Sequence, residues 1–289
     1  MRSVSWGLRA FVACAVLGGV SLILNPAPSA AEDACPQAVD GTTGELTGLG
    51  GSVADKSLYG ATGILAFPLG CGIGVQIDTV AAGFDDRFLG AIGGHLFWRD
   101  PAKGLLGLYG SYTNWDKFGG VGIAHIAPEA EWYLGRWSLR GVAGVEFGNG
   151  ASGVENGYIQ NYDVKTRFFD QINVAYYFTD NFKAFVGHRY LSGKNALALG
   201  AEYGIPMHNG VMAALFAEGR IGEGKFHGVW GGLRFYFGNS DKTLIRRHRE
   251  DDPVDWGASE FGGTTNGFNQ TPTNTGGGGG GGGPGPAPE

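Results

Sequence analysis

From residue 44 to residue 238 the apolar and polar positions alternate with a period of two, and Gly, Pro, Asn or Asp breaks the pattern every roughly 10–14 residues. Segments 44–53, 58–67, 71–83, 87–98, 104–115, 119–134, 137–148, 164–178, 181–191, 194–205, 210–221 and 225–237 read as strands, about twelve in all. In 71–83, Ile73, Val75 and Ile77 share one face and Gln76 and Asp78 the other. In 119–134, Ala124, Ile126, Ala130, Trp132 and Leu134 oppose His125, Glu129 and Glu131. In 137–148, Trp137, Leu139, Ala143, Val145 and Phe147 oppose Arg140 and Glu146. In 225–237, Val229, Leu233, Phe235 and Phe237 oppose Trp230, Arg234 and Tyr236. Side chains on a strand point alternately to its two faces, so each segment predicts a sheet with one apolar and one polar face.

A soluble sandwich would also alternate. The segments, however, are as long as the roughly 9–11 residues a tilted membrane strand needs, or longer. Their ends are rich in aromatics: Phe97-Trp98, Trp115, Trp132-Tyr133, Trp137, Tyr176-Tyr177-Phe178 and Tyr190. Rings at both ends of apolar strands suit the two girdles of a membrane barrel. Connections at 68–70, 135–136 and 179–181 are tight, whereas 149–163 is long and polar, as for short periplasmic turns and longer outer loops. Hydropathy averages near zero (−0.06), which a barrel permits because lipid-facing and lumen-facing residues cancel.

Both ends of the chain carry different signals. Residues 1–31 read as a signal peptide: Arg2 and Arg9, then an apolar run from Ala10 to Leu24, then Asn25-Pro26 and the small residues Ser29-Ala30-Ala31. Residues 32–43 form a short polar lead. Residues 239–289 lack strand periodicity. They hold a charged box, 241–252, then a Gly/Thr/Asn stretch and a Gly/Pro run, and predict a disordered periplasmic tail. Export leaves Cys35 and Cys71 as an even pair in an oxidising compartment, and a disulfide between them is the expectation, with two buried thiols as the alternative.

The final strand ends Gly232-Leu233-Arg234-Phe235-Tyr236-Phe237. With Gly232, Phe235 and Phe237 it resembles the terminal-strand signal of Gram-negative outer-membrane β-barrel proteins, and residues 44–238 are similar to them in pattern. The resemblance implies an all-β fold, an antiparallel transmembrane barrel in the outer membrane with lipid around it, and assembly by the barrel-assembly machinery. The chain departs from that family in continuing past the last aromatic.

The net charge is −6, without a basic patch, which argues against nucleic acid as a partner. Candidate chemistry lies on the polar face of the strands. Gln76, Asp78, His125, Glu129, Glu131, Arg140 and Glu146 share it in the first half, with Asn173, Lys183, Arg189, Glu202, Glu218, Arg220 and Arg234 in the second. Such a wall suits passive passage of small hydrophilic solutes with the charges as a filter. That passage is the leading reading; the alternative is a filled structural barrel that binds a partner or cell wall through loop 149–163 or the tail, since twelve strands fall between packed and open barrels. A lipid-modifying enzyme is a third class. His188 is its candidate, with Ser192 and Glu202 nearby, but Tyr190 stands where a His-x-Ser motif has its serine and Glu202 has inward parity. No metal-ligand spacing and no cofactor motif is present. The box Arg246-Arg247-His248-Arg249-Glu250-Asp251-Asp252 could dock on cell wall, on a periplasmic protein or on the barrel rim; charge runs are usually solvated, and that is the expectation.

Overall fold

The computed structural model describes residues 36–224, 226–253, 256 and 268–272. Twelve strands close into one antiparallel barrel: β1 (Thr43–Val53), β2 (Lys56–Gly70), β3 (Ile73–Phe84), β4 (Arg87–Asp100), β5 (Gly104–Trp115), β6 (Val121–Leu134), β7 (Trp137–Asn149), β10 (Arg167–Thr179), β11 (Phe182–Leu191), β12 (Lys194–Pro206), β13 (Val211–Gly222) and β14 (Gly228–Phe237). Between β7 and β10 stands a hairpin, β8 (Ala151–Glu155) and β9 (Tyr158–Tyr162). After β14 come a short helix, α1 (Leu244–Glu250), and β15 (Phe268–Pro272), which pairs with β9. The leader 1–31 and Cys35 lie outside the described residues.

Closure is made by β1 and β14, paired from Gly44 opposite Phe237 to Val53 opposite Gly228. No barrel strand keeps an unpaired edge, which a lipid interior requires because it supplies no hydrogen-bond partners. An even strand count puts the start of β1 and the end of β14 at one mouth, here termed proximal. The turns at 71–72, 101–103, 135–136, 180–181 and 207–210 share that mouth, and the hairpin β8–β9 rises from the opposite, distal one.

The apolar face of every strand points outward. Leu106, Leu108, Ile126, Leu215 and Ile221 are half or more exposed, far more apolar surface than a soluble protein leaves to water. Two aromatic girdles border this belt. Trp98, Trp132, Trp137, Phe178, Tyr203 and Phe237 stand outward at proximal strand ends, and Tyr59, Phe88, Tyr112, Phe147 and Phe168 at distal ends. Four of the ten girdle aromatics expected from sequence lie elsewhere: Phe97, Trp115, Tyr133 and Tyr177 point inward, because neighbours on a strand face opposite ways. These features make the chain a transmembrane β-barrel of the outer-membrane type.

The lumen is packed. At the distal end Val53, Leu58, Phe84, Leu89, Trp115, Ile123 and Trp230 form an apolar layer, and Tyr162 of the hairpin closes onto it with its ring 5.1 Å from Trp115. At the proximal end Ala38 and Val39 of the lead pack against Ala66, Phe97 and Leu105. The lead is therefore part of the barrel mouth, and Gln37 bridges to Cys71 at the β2–β3 turn.

The tail differs from the expectation of a structureless periplasmic extension wherever it is described. Lys242, Arg247, His248, Asp251 and Asp252 are buried, α1 lies on the proximal mouth, and β15 sits at the distal one. The charges leave solvent because they pair with each other: Lys242 with Asp251, and Arg247 with Asp251 at 3.3 Å, one helical turn apart.

Close backbone approach sets one seam. Pro128, in the middle of β6, cannot donate to a ladder, and the β6–β7 pairing skips Ala127 and Pro128 between Ile126–Val145 and Glu129–Val142 without a change of register. A Cβ on Gly144 there would lie 2.2 Å from the Ile126 carbonyl oxygen and 2.6 Å from the Ala127 Cβ. Gly144→Val should destabilise the barrel by about 1–3 kcal/mol through overpacking, read as a lower temperature for loss of the compact, heat-modifiable band on a gel. An unchanged transition contradicts the tight seam.

Candidate functional site

The site is the inner wall with the segment lying against it. All of the polar positions predicted from parity face inward. They fall into separate networks, and the structure does not gather them into one ring.

On the β3–β6 side, His95 lies between two carboxylates, Nε2 2.8 Å from Asp78 Oδ2 and Nδ1 2.9 Å from Glu129 Oε1, while Gln76 donates to Asp78 at 2.7 Å. Below it, towards the proximal mouth, Glu131 accepts from Tyr133 at 2.6 Å and faces Arg140 at 3.7 Å. Glu146 takes His125 at 3.3 Å, Arg167 at 3.6 Å and the Ser192 hydroxyl at 3.0 Å.

On the β10–β14 side, Glu202 is held by Lys183 at 2.9 Å and Arg234 at 3.3 Å, and by the Tyr236 hydroxyl. Arg234 also reaches Glu45 at 2.9 Å. Arg189 and Arg220 share Glu218 at 3.7 and 3.1 Å, and Arg189 donates to the Asn173 side-chain oxygen at 2.7 Å. Removing one partner from such a pair leaves an uncompensated charge out of water, at a cost of about 3–5 kcal/mol.

The C-terminal segment joins these networks. α1 caps the proximal mouth. The Arg249 guanidinium donates to the Gly135 and Trp137 carbonyls at 2.7 and 3.1 Å, Arg247 donates to the Gly210 carbonyl at 2.7 Å, and the Ile245 N–H donates to Asp180 O at 3.0 Å. His248 points inward between the Tyr177 and Tyr236 hydroxyls, 2.7 and 3.0 Å away. Arg99 ties lead to tail, donating to Ala38 O at 3.2 Å and Asp251 O at 2.9 Å. Deeper in, the Trp256 indole is buried among Tyr109, Ala127, Val142, Phe169 and Phe226, with its N–H 3.4 Å from Glu129. A cavity of about 90 Å³ lies beside Arg140, Lys183, Glu202 and Arg234, room for a few water molecules.

The residues of the lipid-enzyme reading do not meet. His188 is on the outer wall, hydrogen-bonded to Asp170 at 2.8 Å and Asn195 at 3.2 Å, whereas Ser192 and Glu202 are inside. Phe235 and Phe237 of the terminal pattern face lipid, and Gly232 faces inward where a Cβ would meet Gly48 O. Among the described residues no group of three or more His, Cys, Asp or Glu could hold a metal ion. Sequence reasoning passed over His95 and Arg99. Their only signal is parity with Phe97 in β4, opposite the lipid-facing Ile92, Leu96 and Trp98. Nothing in the periodicity marks His248 or Trp256, since the tail has none.

No protein-family model matches the chain, and no curated protein does. Solved structures resemble it in architecture. The outer membrane channel from Pseudomonas putida F1 is 12% identical, covered over 99% of its length and 73% of this chain, with a TM-score of 0.47. The KdgM porin is 6% identical over 68% of this chain and 98% of its own, TM-score 0.44. The translocator domain of the autotransporter NalP from Neisseria meningitidis is 11% identical over 80% of this chain and 96% of its own, TM-score 0.46.

Two outcomes follow for the docked segment. Trp256→Ala removes a fully buried ring, a loss of about 3 kcal/mol and on the order of a hundredfold in the docking equilibrium. Protease added to detergent-solubilised barrel should clip the variant's tail much faster while the barrel stays folded; equal rates contradict the docking. Asp252, which accepts from the Thr43 hydroxyl at 2.7 Å, lies at the proximal mouth beyond the strands. Burial, reinforced by Asp251, pushes its carboxyl up to about 7 against the opposing pull of Thr43, Arg99 and Arg247. The docked segment then holds a proton that a released one gives up near the ordinary carboxyl value, so docking is firmest at acid pH and weakens as pH rises towards 7. Tail cleavage should accelerate from pH 5 to 8 relative to Asp252→Asn, whose docking lacks this dependence. Parallel pH profiles contradict the assignment.

Proposed function

We propose that this outer-membrane barrel is a filled, non-conducting interaction protein that closes around its own C-terminal segment and anchors it. One observation carries the reading: Trp256, nineteen residues past the end of β14 at Phe237, is buried in the lumen on Glu129 and Phe169. The apolar distal layer under Tyr162 and the helix over the proximal mouth support it from the two ends. Solvated passage needs a continuous aqueous path, and the cavity beside Arg140, Lys183, Glu202 and Arg234 holds only a few waters.

The same reading includes export by the 1–31 leader, closure of the barrel by the assembly machinery on the Gly232–Phe235–Phe237 pattern, and a Cys35–Cys71 disulfide joining the lead to the β2–β3 turn. It assigns no catalytic step. A second reading keeps passive passage of small hydrophilic solutes, with the segment as a plug that must first leave. The charges around the residual cavity favour it, because Arg140, Lys183, Glu202 and Arg234 would line the space that opens.

Refolded 32–289 in a planar bilayer should give no discrete salt-dependent steps while migrating as a folded, heat-modifiable barrel. Steady conductance from the intact chain contradicts the filled reading. Steps confined to Trp256→Ala would establish the plugged-channel reading in its place.

A further inference from the structure

Three described pieces of the C-terminal segment stand at three depths of one barrel. Helix α1 is on the proximal mouth, held to the turns at Gly135, Asp180 and Gly210. Trp256 is inside, against residues of β5, β6, β7 and β10. β15 is beyond the distal mouth, as the third strand of the sheet β15–β9–β8. Twelve residue steps separate Trp256 from Phe268, and an extended chain covers at most about 40 Å over that count, enough to climb from the lumen past the distal rim.

Pairing with β9 fixes β15 to the distal hairpin. β8 and β9 meet at Asn156-Gly157, both with positive φ, and that turn is the tip of the hairpin. Tyr162, at the other end of β9, packs on Trp115 and Phe118 at the mouth. Phe268 pairs with Tyr162 and Pro272 with Tyr158. β15 therefore runs along the hairpin from its Tyr162 end to its tip, on the distal side of the barrel. The hairpin itself is fixed to the rim, since Lys117 bridges Glu155 at 2.9 Å to Asp85 at 3.0 Å.

We infer that the C-terminal segment crosses the barrel from the proximal to the distal mouth and presents residues 273–289 on the outer face of the cell. Barrels of this type carry their longer loops outside, and the longest connection between barrel strands, 150–166, is at the distal mouth. The other distal connections, 54–55, 85–86, 116–120, 192–193 and 223–227, are two to five residues long. The hairpin and β15 are then what a large extracellular partner meets first. The inference rests on the segment occupying the lumen, as in the filled reading, but it concerns where that segment ends.

The test places an epitope after Glu289 of the full chain and, in a separate chain, an epitope in the proximal turn at 101–103. Intact cells should bind antibody to the C-terminal epitope and lose it to added protease, while the turn epitope is reached only after the outer membrane is permeabilised. A paired variant, Asn161→Cys with Asn269→Cys, joins residues directly opposite in β9 and β15 and should form a disulfide in those cells. A C-terminal epitope reached only after permeabilisation overturns the inference, as does an exposed epitope whose paired cysteines fail to join. Either result with a silent bilayer leaves the filled barrel standing; a conducting intact chain removes the filled reading whatever the epitope shows.

Discussion

Backbone hydrogen bonding in a medium without water is the constraint on which everything else rests. In lipid each unpaired N–H or C=O costs several kcal/mol, so strands can cross only if the sheet closes on itself. The β1–β14 pairing meets that demand. Once the sheet is closed, the period of two leaves no freedom: one set of side chains must be apolar and face lipid, and the other set faces a narrow interior.

That interior has its own demand. A ring of twelve strands is wider than one that its own short side chains fill, yet its inward positions carry Asp78, Glu129, Glu146, Glu202, Arg189 and Arg234, which cannot be left unpaired out of water. Part of the answer is mutual neutralisation across neighbouring strands, as with Lys183, Glu202 and Arg234. The rest is chain. The lead brings Ala38 and Val39, the hairpin brings Tyr162, and the C-terminal segment brings His248 and Trp256. Arg99 illustrates the coupling, since one guanidinium donates to the backbone of both lead and tail. Protonation of Asp252 connects the same docked state to pH.

Much of this was legible before any coordinates. Alternation placed all twelve strands within a few residues of their ends, because a slip of one residue would turn Ile126 inward and Glu129 to lipid. The inward parity of Gln76, Glu131, Glu218 and Arg220 followed from the same rule. Composition failed in the tail. A charged box followed by Gly and Pro reads as solvated, and no periodicity reveals that its partners are carbonyls at Gly135 and Gly210, distant in sequence and gathered only by closure. Aromatic doublets misled in a related way: Trp132-Tyr133 reads as one girdle feature, whereas Trp132 faces lipid and Tyr133 donates to Glu131 inside.

The central claim is that the lumen holds the chain's own C-terminal segment. Photo-crosslinking from position 256 tests it most directly, with a photoreactive residue in place of Trp256 and barrels left in native outer membranes. The account predicts adducts within the same chain, on the inner-face residues Tyr109, Ala127 or Phe169. Adducts to periplasmic proteins, or to no part of the inner wall, would contradict it.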